Sequence, residues 1–270
     1  MPDADAAALE VLFRIGSAVH RTVRRASTSP HRGDIVAMGA DGSPTEELDR
    51  IAEAQILTML EREHVDWDLL SEEVGLVRRG GKRTLVVDPI DGSHNALRNL
   101  PFSTISLALG SGTLGGIDVG VIHHLSSGAN FWAVRGRGAF RDGRPIRVRP
   151  WEARSELYFI NLGRHSTARA VGLAAKARRV RSLGCASIEM AMVAQGSADA
   201  YIFENDTVQR NLRVTDIAAA YRLLVEAGGC AGTAEFNPLD PIPLDLAQHT
   251  SVFAFGDAAL RSAMRSGRSS

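Results

Sequence analysis

Apolar and polar positions change period several times along the chain, and each change marks an element. Between residues 4 and about 28, Leu9, Leu12, Phe13, Ile15, Gly16, Val19 and Val23 recur near helical spacing, which predicts an amphipathic first helix. Ser27 to Ser43 is rich in small and polar residues, with three glycines, and reads as a loop. A second helix is expected from Pro44 or Thr45 to about His64. Pro suits the first helical position, and Leu48, Ile51, Ala52, Ala54, Ile56, Leu57 and Leu60 give the buried stripe. Trp67 to Leu70 reads as a short strand. Leu85 to Val87 reads as a buried strand that Pro89, lacking a ladder donor, is expected to end. Gly92-Ser93 then opens what looks like a helix. Pro101 to Leu109, Gly116 to His124 and Asn130 to Val134 read as strands, and Gly136 to Ile146 as a hairpin turning at Asp142-Gly143. Successive strands of this kind imply an antiparallel or mixed sheet.

The second half alternates strand and helix. Strands are expected at Leu157 to Asn161, Val180 to Leu183, Ala198 to Phe203 and Ser251 to Phe255. Helices are expected at His165 to Lys176, Ser187 to Ala194, Asp216 to Ala227 and Asp257 to Arg265, the third stopped by Gly228-Gly229. The class is therefore α/β (α+β), with an N-terminal half over 1–150, a C-terminal half over 151–270, and the two forming one compact unit.

Composition narrows the function. Lys+Arg and Asp+Glu both number 31, so the formal net charge is zero, which argues against a general nucleic-acid binder. The two cysteines, Cys185 and Cys230, form no CxxC pattern and give a zinc site no support. No apolar stretch reaches the roughly 18 residues of a membrane span. The start, Met1-Pro2-Asp3-Ala4-Asp5, lacks the basic region of a signal peptide. A soluble cytoplasmic protein is the simplest expectation.

The chemistry centres on Asp88-Pro89-Ile90-Asp91-Gly92-Ser93. Two carboxylates at the lip of a buried strand repel one another unless a cation lies between them, and hard cations such as Mg²⁺ take oxygen ligands. Free N–H groups at a helix start suit a phosphate. Taken alone, the motif also reads as a strand-to-helix turn with Asp as its cap. Other acids carry the same ambiguity. Glu72-Glu73 ends an apolar run, and alternation lets one of the pair enter a site. Asp49 lies in the second turn of its helix, where an exposed acid is the common case. Asp41 lies in a glycine-rich loop that is either an ordinary turn or a mobile flap. Asp216 opens an apolar helix and alone would be an N-cap. The adjacent His123 and His124 read as structural.

Glu72-Glu73, the Asp88 to Ser93 motif and Asp216 with Gly228-Gly229, in that order and spacing, resemble the inositol monophosphatase family of Mg²⁺-dependent phosphatases, over nearly the whole chain. Gly138 to Gly143, Arg181 to Ala186 and Gly196 to Tyr201 fit the same pattern. Ala40 to Thr45, Asn95-Ala96-Leu97 and Leu212 to Ala219 look most like the archaeal-type branch, which acts on inositol monophosphate and fructose 1,6-bisphosphate.

The resemblance implies a layered α/β/α/β/α sandwich. It implies two to three Mg²⁺ ions, with Mn²⁺ as an alternative. Glu72, Asp88 and the carbonyl of Ile90 would hold one ion, and Asp88, Asp91 and Asp216 a second. Glu72 and Asp41 would assist a third. Asp49 and Ser93 would orient the attacking water, and Gly92 and Ser93 would seat the phosphate. Gly184, Cys185, Ala186, Arg210 and Arg213 would face the substrate. The implied partner is a small phosphate ester, with neither nucleic acid nor membrane, and a homodimer is allowed. Two departures stand out. Ser93 replaces the usual Thr, losing a methyl that restricts the rotamer, so looser water positioning is expected. Phe203 to Arg210 is longer and more polar than the pattern, which leaves substrate choice open. The alternatives are a 3′-phosphoadenosine 5′-phosphate nucleotidase and a non-catalytic phosphate-binding relative.

Overall fold

The computed structural model describes residues 3–40, 42–153 and 155–267. In chain order its elements are α1 (Ala4–Ala26), β1 (Ile35–Met38), β2 (Pro44–Glu46), α2 (Glu47–Arg62), β3 (Asp68–Ser71), β4 (Gly75–Val77), β5 (Thr84–Asp91) and α3 (Ser93–Leu97). Then come β6 (Thr104–Gly110), β7 (Ile117–His124), β8 (Asn130–Val134), β9 (Ala139–Arg141) and β10 (Arg144–Ile146). The remainder comprises β11 (Tyr158–Ile160), α4 (Ala168–Lys176), β12 (Val180–Arg181), α5 (Ala186–Ala194), β13 (Ala200–Phe203), α6 (Val214–Glu226), β14 (Cys230–Gly232), β15 (Val252–Phe255) and α7 (Ala258–Arg265).

Two layered sheets and three helical layers follow from where the apolar stripes go, and β1 and β2 form a separate two-stranded sheet. The larger sheet has eight strands in the order β10-β9-β8-β7-β6-β5-β3-β4. Its neighbours are antiparallel except β3 and β5, which run parallel. The smaller sheet has the order β12-β11-β13-β15-β14. Along β5 the side chains alternate faces. Leu85 and Val87 pack with Leu12, Ile15, Ile56 and Leu60 of α1 and α2. Val86 packs on the other face with Ile217, Leu223 and Leu224 of α6 and Ile188 of α5. A third core joins Ile160, Ile202, Phe253 and Phe255 of the smaller sheet to Ala170, Leu260 and Met264 of α4 and α7. The result is a five-layer α/β/α/β/α arrangement with α5 and α6 sandwiched between the sheets. Among the described residues, no helix is long and apolar enough to cross a membrane.

Tertiary pairing overrides local preference in three places. The stretch read as a loop contains β1, which pairs with β2 through Ala37 against Thr45 and Met38 against Pro44. Pro44 and Thr45 therefore belong to a hairpin, and α2 starts at Glu47 rather than at the proline. Pro89 does not end its strand, which runs to Asp91. Asp88 pairs with Ser106 and Asp91 with Thr104, so three steps on β5 oppose two on β6. That extra residue is a bulge, the position at which a strand tolerates a proline. Finally, β14 follows directly on the glycine pair, where the apolar pattern gives no strand.

The layer between the sheets depends on close approach. A Cβ built on Gly120 of β7 would lie 2.8 Å from the Ala219 carbonyl oxygen and 3.1 Å from its Cα. Gly120→Ala is therefore expected to lower stability by about 1–3 kcal/mol through overpacking. Urea unfolding would read this as a lower midpoint at unchanged slope, and an unshifted midpoint would show that α6 can move away.

Candidate active site

The bulge in β5 builds the site. In a regular strand, residues three apart face opposite ways. With one extra residue between them, Asp88 and Asp91 both reach the side occupied by α5 and α6. Asp88 is 2% exposed, and its Oδ1 is buried without a hydrogen-bond partner. Carboxylate oxygens of Glu72, Asp88 and Asp216 all lie within 4.8 Å of one another. Three acids converge there from three elements: the turn after β3, the end of β5 and the first turn of α6. Burial drives the Asp88 carboxyl well above its ordinary range, and Glu72, Asp91 and Asp216 push it further.

An orphaned carboxylate oxygen inside a cluster of like charges is costly unless a cation neutralises it. An all-oxygen donor set is the chemistry of a hard divalent ion. The residues present therefore fit a metal centre built on Glu72, Asp88 and Asp216.

Asp216 is the third residue of α6 and not its N-cap. Its Oδ2 accepts the backbone N–H of the N-cap residue Arg213 at 2.7 Å. Asp91 is engaged differently. Its Oδ1 accepts the Ala186 amide at 3.2 Å, and its Oδ2 accepts the Ser187 amide at 2.6 Å and the Ser187 hydroxyl at 2.5 Å. Burial raises its pKa, and those donors oppose the rise. The Ile90 carbonyl accepts the Ser93 hydroxyl at 2.9 Å.

Beside the acids lies a cleft of about 490 Å³ lined by Ser43, Glu46, Asp49, Glu72, Glu73, Gly92, Ser93, His94 and Gly184, among others. Gly92 holds φ 83°, and a Cβ there would meet the Phe102 carbonyl oxygen at 2.7 Å, so glycine is required on both counts. It leads into α3, where the Asn95 and Ala96 amides bond back to the Gly92 carbonyl at 2.9 and 3.0 Å and the Ser93 and His94 amides have no partner within the helix. Ser93 Oγ lies 3.0 Å from Asp49 Oδ1 and 2.9 Å from the Ile90 carbonyl. Two hydrogen-bonding contacts thus fix the rotamer that the absent methyl would have restricted. Burial raises Asp49 to about 8, with Glu46 adding to the rise.

Asp49, Glu72, Asp88, Asp91, Asp216, Gly92, Ser93 and Gly184 are gathered around one cleft and its floor. Asp41 lies outside the described residues. Cys185 is buried, and its Sγ donates to the Asp91 carbonyl at 3.4 Å, while Ala186 meets Asp91 through its amide. These two residues support Asp91. Arg210 and Arg213 do not line the cleft. Arg169 is held by Glu204, by the Ala234 carbonyl and over the Phe253 ring. His94 is the one basic side chain among the described residues lining the cleft. His123 and His124 are tied into a structural network with His20, Asn130, Ser127 and the Pro101 carbonyl.

Sequence reasoning missed Glu46, Glu53, Thr104 and Ser187. Glu53 was open to detection, since it lies one turn beyond Asp49 beside the apolar stripe of α2. It is 3% exposed and raised to about 7, chiefly by burial. Both of its carboxylate oxygens are buried without a hydrogen-bond partner, as is the Ser71 hydroxyl just before the Glu72-Glu73 turn. The β1–β2 hairpin sits on the same turn: Thr45 donates to the Glu73 carboxylate, and the Ala40 amide donates to the Glu73 carbonyl at 2.9 Å.

The chain is 32% identical over 266 residues to the fructose-1,6-bisphosphatase/inositol-1-monophosphatase of Methanothermobacter thermautotrophicus, covering 93% of this chain and 92% of that protein. It is 29% identical over 254 residues to the bifunctional NADP phosphatase/NAD kinase of Methanococcus maripaludis, covering 82% of this chain and 42% of that longer protein. A solved structure from Pyrococcus horikoshii, described as having similarities to inositol-1 monophosphatase, superposes with a TM-score of 0.81 at 22% identity, covering 95% of this chain and 96% of that one. The model of the inositol monophosphatase family matches residues 3–260, and this chain belongs to that family.

Proposed function

We propose that the chain is a Mg²⁺-dependent phosphomonoesterase acting on small sugar or cyclitol phosphates, with inositol 1-phosphate and fructose 1,6-bisphosphate as the chief candidates. The carrying observation is the orphaned Asp88 oxygen within the Glu72, Asp88 and Asp216 cluster, set against the cleft that opens on Gly92 and Ser93. Glu72, Asp88 and Asp216, joined by Asp91, would hold two or three Mg²⁺ ions, with Mn²⁺ able to substitute. Such ions supply charge neutralisation at the phosphate and activation of a water.

The chain's own residues supply the rest. Gly92 and Ser93 seat the phosphate through their backbone N–H groups. Ser93 and Asp49, 3.0 Å apart, orient the water. Gly184 borders the substrate. Asp41 assists from the flap loop. A cytoplasmic location and a homodimer belong to the same proposal.

The relative that joins NADP phosphatase to NAD kinase supports a second reading, in which the ester belongs to a nucleotide. One panel separates them: phosphate release, with and without Mg²⁺, from inositol 1-phosphate, fructose 1,6-bisphosphate, 3′-phosphoadenosine 5′-phosphate and NADP. Mg²⁺-dependent release from either of the first two is the expected result. Release from the nucleotides alone would keep the mechanism and replace the substrate. Release that is indifferent to chelation of divalent ions would overturn the metal reading.

A further inference from the structure

Asp91 is held by a buried chain of hydroxyls that its role as a metal ligand does not by itself require. Thr104 on β6 and Ser187 on α5 are both fully buried. Their hydroxyl oxygens lie 2.5 Å apart, and Ser187 Oγ lies 2.5 Å from Asp91 Oδ2. Donor accounting fixes the direction. A carboxylate only accepts, and a hydroxyl carries one hydrogen. The Ser187 hydrogen therefore goes to Asp91, and Ser187 in turn accepts the Thr104 hydrogen. With the Ser187 amide at 2.6 Å, Oδ2 receives two strong donors. Oδ1 receives one long contact, from the Ala186 amide at 3.2 Å, and keeps its remaining lone pair.

The bulge supplies the reason for this pairing. Asp91 and Thr104 are register partners across β5 and β6, so the acid and the far end of its hydroxyl chain are fixed by the same strand pair. Ser187, in the first turn of α5, closes the gap between them. Three elements thus meet at one carboxylate oxygen.

We infer that Thr104 and Ser187 are positioning residues, acting in series to clamp Asp91 Oδ2 so that Oδ1 alone is presented to a divalent cation. This rests on the proposed role of Asp91 as a ligand. Removing either hydroxyl weakens the hold on Oδ2, leaves the Ala186 and Ser187 amides to orient the carboxylate, and lowers metal affinity. Because the two act in series, their losses do not add.

The test measures Mn²⁺ binding without substrate, by loss of the free-ion electron paramagnetic resonance signal, on the full chain. Ser187→Ala is expected to weaken one class of Mn²⁺ site by about 10- to 100-fold, the usual cost of removing a group that orients a ligand. Thr104→Val is expected to weaken the same class less, Thr104→Ser to restore it, and the double variant to match Ser187→Ala. Thermal melts of the metal-free proteins check folding. If Ser187→Ala does not fold, Thr104→Val against Thr104→Ser carries the comparison. Wild-type affinity in Ser187→Ala, or strictly additive losses, overturns the clamp while leaving the metal site standing. Wild-type affinity in Asp91→Asn overturns the ligand role of Asp91, and the clamp with it.

Discussion

Asp88→Asn should abolish phosphate release, by about 10³-fold or more, and should raise the melting temperature of the metal-free protein. The two effects have one cause. Asp88 is 2% exposed and shares its surroundings with Glu72, Asp91 and Asp216, and its Oδ1 has no partner. Its charge contributes nothing to folding without a cation, since burial and three like charges oppose ionisation. Asn keeps the shape and needs neither a retained proton nor a buried charge, which stabilises the empty site. With a cation bound the balance reverses. A neutral amide oxygen brings no charge and is a weaker ligand for Mg²⁺ than the carboxylate it replaces, and loss of one preorganised electrostatic group in an active site costs about 10²–10³ in rate. Asp88 stands at the centre of the cluster, so the upper end is expected. Phosphate release at saturating Mg²⁺ and paired melts without metal check both halves. Activity within about tenfold of wild type would remove Asp88 from the chemistry. A lowered melting point would show that the carboxylate has a structural partner.

Legibility in the sequence followed the range of the interaction. The stripe of α1 is local, and the helix lies where periodicity placed it, from Ala4 to Ala26. The Asp142-Gly143 turn is local too, and both residues adopt the positive φ that a two-residue hairpin requires. The acids were visible because carboxylates at the ends of apolar runs are chemically conspicuous. What stayed hidden depends on partners distant in sequence. Nothing near Pro89 announces that β6 will pair across it with one residue fewer, so the strand appeared to end there. Nothing near Pro44 announces β1 as a partner, so a helix start was the better local reading. Ser187 and Thr104 are ordinary small polar residues, and only the fold puts their hydroxyls 2.5 Å apart. The arginines were conspicuous by their charge, but Arg210 and Arg213 lie outside the cleft lining.

The second large effect concerns stability, pH and metal together. Asp49 is raised from 3.8 to about 8 and Asp88 well above its ordinary value, with Glu53 at about 7 and Glu189 at about 8. Burial is the first cause in each case. Below about pH 4 these groups are protonated in both folded and unfolded chains and make no difference. Between about pH 4 and about pH 8 the unfolded chain releases protons that the folded chain retains, so stability falls as pH rises. Each tenfold difference in proton affinity between the folded and unfolded chain is worth about 1.4 kcal/mol, so the metal-free protein should lose several kcal/mol across that range. A divalent ion replaces the retained protons at the cluster. At about a hundredfold excess over its dissociation constant it should restore about 2.7 kcal/mol, more at about pH 8 than at about pH 5, where protons compete for the same oxygens. Melting temperatures at the two pH values, with EDTA and with Mg²⁺, give the comparison. The expected pattern is a melting point that falls with pH in EDTA and a Mg²⁺ increment that grows with pH. Glu189 lies on α5 with its carboxylate accepting the Leu183 amide at 2.7 Å, outside the metal cluster, so its share of the slope should survive Mg²⁺. An increment equal at both pH values would mean that the ion binds without displacing protons, and therefore away from Asp88.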